Sequence, residues 1–419
     1  MELLKLINYF IAFMFAICYF YQIIYLVVAL LFKPKKLNEC KKHRFAVMIS
    51  ARNEETVIGN LIKSIKNQNY PQELVDIYLV ADNCNDNTKE VAENNGAIVF
   101  ERFNSIQRGK GYALKYLFKM VMEQYSYKNY DGYFIFDADN LLDQNYISEM
   151  NKAYGSGQRV ISSYRNSKNF GDNWVSAGYS LWFLREINFL NKPRMILNTS
   201  CAVSGTGFLI HKDIIKKNNG WHHYLLSEDI EFSIDCIING EKITYCENAI
   251  LYDEQPTLFT QSWSQRMRWS KGFLQVFYKY GKNLLKGLFK KNSFACFDMT
   301  MAIIPAIVFA LIGFVVNTLM GLFCILTLDK GILTLLQSNV ESFVNAYIVM
   351  FAAGLITEIT EWNRIHASTY KKIKYLFTFP IFMFSYVPIS VIAVFAKVEW
   401  KPIKHCRSLT IEEVLKEHI

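Results

Sequence analysis

Tyr133-Phe134-Ile135-Phe136-Asp137-Ala138-Asp139 is an apolar run that ends in two acids spaced i, i+2. The four apolar residues have the length and aromatic content of a buried strand. In an extended segment, side chains at i and i+2 point the same way, so both carboxylates leave the strand end together. Two adjacent carboxylates repel unless a cation lies between them, and hard oxygen ligands suit Mg²⁺ or Mn²⁺. Magnesium is commonly held by one or two carboxylates plus the phosphates of a substrate, which implies a nucleoside diphosphate. A solvated turn after a strand would also use Asp and Asn. The rest of the chain decides between the two.

Towards the N-terminus, residues 45–49, 75–81 and 97–100 read as strands, and 56–67 and 111–124 as helices. Val57, Leu61, Ile62 and Ile65 carry the helical spacing of the first of these. Strands alternating with helices predict an α/β fold with a largely parallel sheet. Ligands of such sheets bind off the carboxyl ends of the strands. The polar clusters at 50–55, which include Asn53 and Glu54, at 82–88 and at 137–140 all follow strand ends, so they are expected in one crevice. Asp82 and Asn83 are placed either to hydrogen-bond a base or ribose or to cap the next helix. Arg108-Gly109-Lys110-Gly111 opens the helix at 111–124, where free N–H groups and a lysine favour a diphosphate. An ordinary surface lysine beside a glycine turn is the other reading of Lys110.

Towards the C-terminus, Val203-Ser204-Gly205-Thr206-Gly207-Phe208 is a glycine-rich turn, suited to a bulge or to close approach of a ligand. In Leu226-Ser227-Glu228-Asp229, Ser227 reads as an N-cap with Glu228 and Asp229 in the first helical turn. The helix dipole alone favours acids there, whereas the chemical reading makes Asp229 a general base. Pro256 is expected to open a helix that carries Gln265-Arg266-Met267-Arg268-Trp269. Gln265, Arg268 and Trp269 then share a face. An amide, a guanidinium and an indole together suit a sugar and a diphosphate, or anchor a helix to lipid headgroups. Farther on, Phe273, Phe277, Leu284, Leu285 and Leu288 alternate with lysines in the manner of a membrane-surface helix.

Hydrophobic residues make up 52% of the 419 and aromatics 15%, and they are unevenly spread. Residues 7–32 carry no charge, enough for a membrane-spanning helix, and further apolar stretches lie at 299–328, 343–357 and 375–396. The net charge of +9 comes largely from residues beside these stretches: Lys33, Lys35, Lys36, Lys41, Lys42 and Arg44, then Lys286, Lys290 and Lys291. That pattern puts the 34–298 region on the cytoplasmic side and leaves no basic platform for nucleic acid. The nine cysteines show no CxxC spacing and read as reduced, buried thiols. Pro380 and Pro388 predict a broken or re-entrant segment at 375–396.

An Asp after the second strand, Asp137-Ala138-Asp139, Ser227-Glu228-Asp229 and Gln265-Arg266-Met267-Arg268-Trp269, in this order, resemble the motifs of the membrane-bound family 2 glycosyltransferases. That group includes cellulose, chitin and hyaluronan synthases and ceramide glucosyltransferase, and the resemblance covers about 45–280. It implies a GT-A (nucleotide-diphospho-sugar transferase, Rossmann-like) domain at 34–255 between an N-terminal transmembrane helix at 1–33 and amphipathic interfacial helices at 256–298. Transmembrane or interfacial helices at 299–397 and a cytoplasmic tail at 398–419 would follow. In that tail, Trp400-Lys401-Pro402-Ile403-Lys404-His405 loosely resembles the gating loop such synthases close over UDP.

The resemblance also implies roles. Asp137 and Asp139 would hold Mg²⁺ or Mn²⁺, and Asp229 would be the catalytic base. The nucleotide-sugar would meet Asn53, Glu54, Asp82, Asn83, Lys110, Asp137, Ala138, Asp139, Gln265, Arg266 and Arg268. Gly205, Glu228 and Trp269 would line the acceptor. Ala-Asp-Asn stands where the family has Asp-Asp-Gly, so Asn83 is expected to share the uridine contacts of Asp82. The implied reaction is inverting, metal-dependent transfer of a hexose or N-acetylhexosamine from a UDP-sugar to a growing β-linked polysaccharide at the plasma membrane. The alternative is a single addition that makes a glycolipid. Membrane lipid is a further partner on either reading, and a homo-oligomer or auxiliary export proteins would serve polymer passage.

Overall fold

The computed structural model describes residues 2–290, 292–326, 331–403, 405 and 407–416. Lys291, Lys404 and residues 327–328, used above, lie outside the described residues. The chain opens with α1 (Glu2–Tyr19) and α2 (Tyr21–Leu31) and then enters a sheet of eight strands. These are β1 (Phe45–Ala51), β2 (Val75–Asp82), β3 (Ile98–Arg102), β4 (Gly132–Asp137), β5 (Leu141–Leu142), β6 (Val160–Ser167), β7 (Phe208–His211) and β8 (Ile243–Asp253). Their order across the sheet is β3-β2-β1-β4-β7-β6-β8-β5.

The first half is parallel, as the alternation of strands and helices requires. The register pairs Ser50 with Asp137 and Ala51 with Ala81, so the polar clusters after these strands share one edge. Alternate side chains of β4 enter opposite cores. Ile135 joins Met48, Tyr78 and Leu114 on one face, while Phe134 and Phe136 join Val47, Leu61 and Ile62 on the other. Full burial of each such side chain contributes about 1.5–3 kcal/mol. The sheet as a whole is mixed rather than largely parallel. β7 runs antiparallel to both β4 and β6, and β5 antiparallel to β8. The turn at 203–208 causes the reversal. Gly205 and Gly207 have φ of 78° and 67°, which folds the chain back so that Phe208 pairs with Ile135. A Cβ on Gly207 would also lie 1.9 Å from Leu251.

Around the sheet lie α3 (Ile58–Lys66), α4 (Thr88–Asn94), α5 (Lys110–Gln124), α6 (Tyr146–Gly155), α7 (Trp174–Glu186), α8 (Lys192–Ile196), α9 (Lys212–Lys217) and α10 (Glu228–Ile238). Then follow α11 (Phe259–Gly287), α12 (Ser293–Ile303), α13 (Pro305–Leu326), α14 (Gly331–Glu361), α15 (Thr369–Phe384), α16 (Tyr386–Phe395) and α17 (Ile411–Lys416). Two helix starts differ from expectation. α11 begins at Phe259 rather than at Pro256. Ser227 does precede α10, but its hydroxyl makes no cap bond, because it is wedged against Gly272 of α11.

Among the described residues three stretches are long and apolar enough to cross a membrane, Ser293–Phe323, Leu335–Glu361 and Thr369–Phe395, and the bent N-terminal pair makes a fourth if it is one span. The N-terminal region is not one straight helix, because α1 and α2 meet at a bend of 43°. On either side of that bend the Tyr19 hydroxyl is tied to the Met301 carbonyl, and that of Tyr21 to Asp298, both on α12. The break expected at 375–396 falls at Ser385, between α15 and α16, with Pro380 inside α15. Pro388 falls in the first turn of α16, where a missing N–H is tolerated. Arg266 fills the junction, donating to the Phe382 carbonyl at 3.0 Å and to Ser385 Oγ at 2.6 Å.

Candidate active site

At the end of β4 the Asp137 N–H donates to Thr206 Oγ1 at 2.9 Å, tying the acidic turn to the glycine-rich one. Lys110, the first residue of α5, reaches across the cleft. Its Nζ lies 2.5 Å from Asp137 Oδ1 and 2.7 Å from the Gly205 carbonyl. Gly109 before it has φ of 117° and packs on the Trp400 ring, 3.4 Å from where a Cβ would stand. Asp139 is buried, and its Oδ2 accepts the Glu254 N–H at 2.7 Å. Burial alone would raise the Asp139 pKa, but His405, Lys168 and Arg165 hold it below its usual value. Ala138 between the two acids is buried in the core.

Asp137 and Asp139 both lie near enough to Arg165 and Glu54 for their charges to act on both groups. Among the described residues no three His, Cys, Asp or Glu side chains cluster as a complete cage. Two carboxylates form the hard donor set that suits Mg²⁺ or Mn²⁺ bound jointly with a diphosphate.

The rest of the donor side is held by pairs that local spacing does not announce. Asp82 is buried in an ion pair with Arg102, at 2.5 Å. Asn83, at φ 54°, accepts the Asn104 N–H at 2.8 Å and caps no helix. Asn53, at φ 58°, accepts the Asn85 N–H at 2.9 Å, which locks the β1 and β2 loops together. Both oxygens of Glu54 lie 3.0 Å from Nδ1 of His405 in the C-terminal tail. Burial opposes charge on His405, yet Asp139 and Glu54 hold its pKa up at about 10. Arg165 donates from Nε to Asp253 at 2.7 Å and from Nη1 to the Ser204 carbonyl at 2.8 Å, with its guanidinium 3.7 Å from the Phe183 ring.

On the other side of the Gly205 turn stands Asp229, in the first turn of α10. Its Oδ1 accepts the Ile230 N–H at 2.8 Å, and its Oδ2 would lie 3.7 Å from a Cβ on Gly205. Burial raises the pKa of Asp229, while Lys110 and Arg268 pull it down. Glu228 is raised by burial and then by the charge of Asp229. Arg268 reaches the same place, donating to the Leu226 carbonyl at 2.9 Å. Gln265 has a buried Oε1 without a hydrogen-bond partner, an acceptor left open for a ligand. Trp269 stands edge-on to Tyr179 and Phe183, at 5.8 and 6.1 Å.

Arg266 is set apart from Gln265 and Arg268. It is fully buried among Phe382, Tyr386 and the α15–α16 junction, 4.4 and 4.8 Å from the two rings. Adjacent positions on a helix point about 100° apart, so Arg266 turns away from Gln265, while Trp269, three residues on, meets the same Tyr179 ring as Arg266 does. The expected place of Arg266 beside the nucleotide-sugar is therefore replaced by a structural one. Arg165, Lys168, Asp253 and Glu254 were not singled out by sequence reasoning. Their only local signal was two charged pairs after apolar strands.

The mixed sheet, with its polar strand-end loops gathered at one edge, has the GT-A glycosyltransferase fold. The chain belongs to the family described as glycosyltransferase like family 2, whose model matches residues 43–272, and it is a glycosyltransferase. It is similar to a probable glycosyltransferase, YdaM, of Bacillus subtilis, with 24% identity over 77% of this chain and 76% of that one. It is also similar to the beta-monoglucosyldiacylglycerol synthase of a Nostoc species, 24% identical over 62% of this chain and 56% of the relative. The poly-beta-1,6-N-acetyl-D-glucosamine synthase of Staphylococcus aureus is 22% identical over 58% of each chain. The chain thus spans little more than half the length of these last two. Among solved structures, the mannosyltransferase PcManGT of Pyrobaculum calidifontis, in complex with GDP-Man and Mn²⁺, has the same fold. Its TM-score is 0.55 at 13% identity, over 93% of this chain and 98% of that one.

Proposed function

We propose that the chain transfers a hexose or N-acetylhexosamine from a UDP-sugar to a hydroxyl presented at the cytoplasmic face of the plasma membrane, with inversion at the anomeric carbon. One observation carries this reading. Lys110 joins Asp137 to the Gly205 carbonyl, and Gly205 faces Asp229, so Asp137 and Asp229 stand on either side of one glycine. Asp229 takes the proton of the acceptor hydroxyl while its oxygen bonds to the anomeric carbon. The bond from that carbon to the β-phosphate oxygen breaks, and its electrons leave with UDP. Lys110 and Arg268 offset the charge that develops on the leaving group. A divalent cation held by Asp137 and Asp139 supplies further charge neutralisation when bound.

Extension of a β-linked polymer is the leading form of the reaction. The open Gln265 oxygen and the Trp269 indole on one helix face suit a sugar already added, and the similarity to a polysaccharide synthase agrees. Addition of one sugar to a lipid is the second form, favoured by the similarity to a glucosyldiacylglycerol synthase. The test uses full-length protein in lipid nanodiscs with Mg²⁺ or Mn²⁺ and a panel of radiolabelled UDP-sugars. Label that stays at the chromatographic origin and is released by a matching hydrolase means polymer. One discrete mobile product means glycolipid. An α-linked product by NMR would overturn inversion, and no turnover with any sugar would overturn the transfer itself.

A further inference from the structure

Lys168 follows β6 directly, and its N–H donates to the carbonyl of Asp253, the last residue of β8, at 2.8 Å. The next residue, Glu254, gives its N–H to Asp139 Oδ2 at 2.7 Å, so the ends of β6 and β8 meet the second acid of the pair. Lys168 is 1% exposed, and the surface it keeps includes the ammonium. Burial lowers its pKa, and the charges of Asp139, Glu254, Asp253 and Glu54, Asp139 foremost, act against that. None of these acids touches it. Among the described residues the Lys168 ammonium makes no hydrogen bond and no ion pair. Its charge is thus balanced from a distance, while its three N–H donors have no protein acceptor. A buried group in that condition is set to take an acceptor from a ligand.

The neighbouring cations are already committed. Arg165 donates to Asp253 and to the Ser204 carbonyl, and His405 lies against both oxygens of Glu54. Lys110 spends its ammonium on Asp137 and the Gly205 carbonyl. Lys168 stands to Asp139 as Lys110 stands to Asp137, except that it stops short of contact. If Asp139 shares a divalent cation with a diphosphate, a second positive charge nearby is repelled unless an anionic oxygen lies between them. A sugar hydroxyl brings no such charge. A phosphate oxygen does, and lysine binds phosphate as a point charge.

We propose that Lys168 is a donor-binding residue, whose ammonium takes a phosphate oxygen of the nucleotide-sugar beside Asp139. The assignment rests on the UDP-sugar reading above and adds a coupling to it. Without nucleotide, Lys168 opposes a cation at Asp139. With the diphosphate in place, the same charge holds the phosphate that the cation shares. Nucleotide and cation therefore each strengthen the binding of the other.

Full-length protein in lipid nanodiscs is titrated by calorimetry with Mn²⁺ alone and with UDP in saturating Mn²⁺, as wild type, Lys168→Met and Lys168→Arg. Lys168→Met removes the charge and keeps an unbranched side chain. It is expected to bind UDP with Mn²⁺ at least about tenfold more weakly, the loss of one charge-assisted hydrogen bond. It is also expected to bind Mn²⁺ alone several-fold more tightly, which a damaged cleft would not do. Lys168→Arg keeps the charge and is expected to recover most of the UDP affinity. Wild-type affinity for UDP with Mn²⁺ in Lys168→Met would overturn the assignment and leave the donor reading standing. Weaker binding of Mn²⁺ alone together with weaker UDP would overturn it in favour of a lysine that only holds the acid cluster in shape. A wild type that does not bind UDP with Mn²⁺ would overturn the donor reading itself, and the assignment with it.

Discussion

On the proposed mechanism Asp229 is the base, and burial and nearby charges tune it. Asp229→Asn keeps the shape and removes proton acceptance, so transfer is expected to fall by about 10²–10⁴-fold. UDP affinity by calorimetry should hold, because the donor side lies across the Gly205 turn. The charges around Asp229 set its pH range. Burial raises its pKa, and Lys110 and Arg268 lower it. Arg268→Gln removes one of the lowering charges, so the base is protonated at higher pH. The acid limb of kcat/KM should move upward in pH, and an unmoved limb would separate Arg268 from the base. Asp229, Asp137 and Asp139 were legible because each sits in a short motif at the start or end of an element. Arg165 was not, and His405 was legible only as part of the tail stretch, because their partners are distant in sequence: His405 meets Glu54 351 residues away.

At the scale of elements, a buried group helps bind the N-terminal helix pair to the catalytic domain. Asp298 of α12 holds Arg194 of α8 and the Tyr21 and Tyr25 hydroxyls of α2, with Asp298 at 0% and Arg194 at 2% exposure. Breaking a buried pair from one side leaves a charge without a partner, which costs about 3–5 kcal/mol. Arg194→Met is expected to lower the thermal midpoint in detergent strongly, and the double variant with Asp298→Leu to regain much of it. Equal losses in both would mean that packing, not charge, holds this junction. The parallel half of the sheet was readable from strand–helix alternation. The mixed half was not, because β7 has four residues and its direction is set by two glycines in a turn. The bend at Phe20 was hidden for a related reason: it falls in an unbroken apolar run and coincides with tyrosine hydroxyls held by α12.

Across the whole molecule, the residues after α16 run back over the donor cleft. Trp400 lies against Gly109, with Arg52 5.4 Å from its ring, and His405 pairs with Glu54. Arg407 pairs with Asp172, and its N–H donates to Glu254 at 3.1 Å. Beyond it, Leu409, Ile411 and Val414 pack on Leu141 and Tyr252, so the strap is anchored past the cleft. Its likeness to a gating loop was readable in Trp400–His405, but the residues it lands on were not, since they come from four separate loops. A strap over bound donor excludes water and raises donor affinity. Trp400→Ala is therefore expected to raise KM for the UDP-sugar several-fold and to increase UDP release without acceptor. The thermal midpoint should change little, because Val414 stays docked. Steady-state kinetics with and without acceptor read both effects. An unchanged KM, with donor hydrolysis at the wild-type rate, would show that the cleft closes without this segment and that its contacts serve the fold alone.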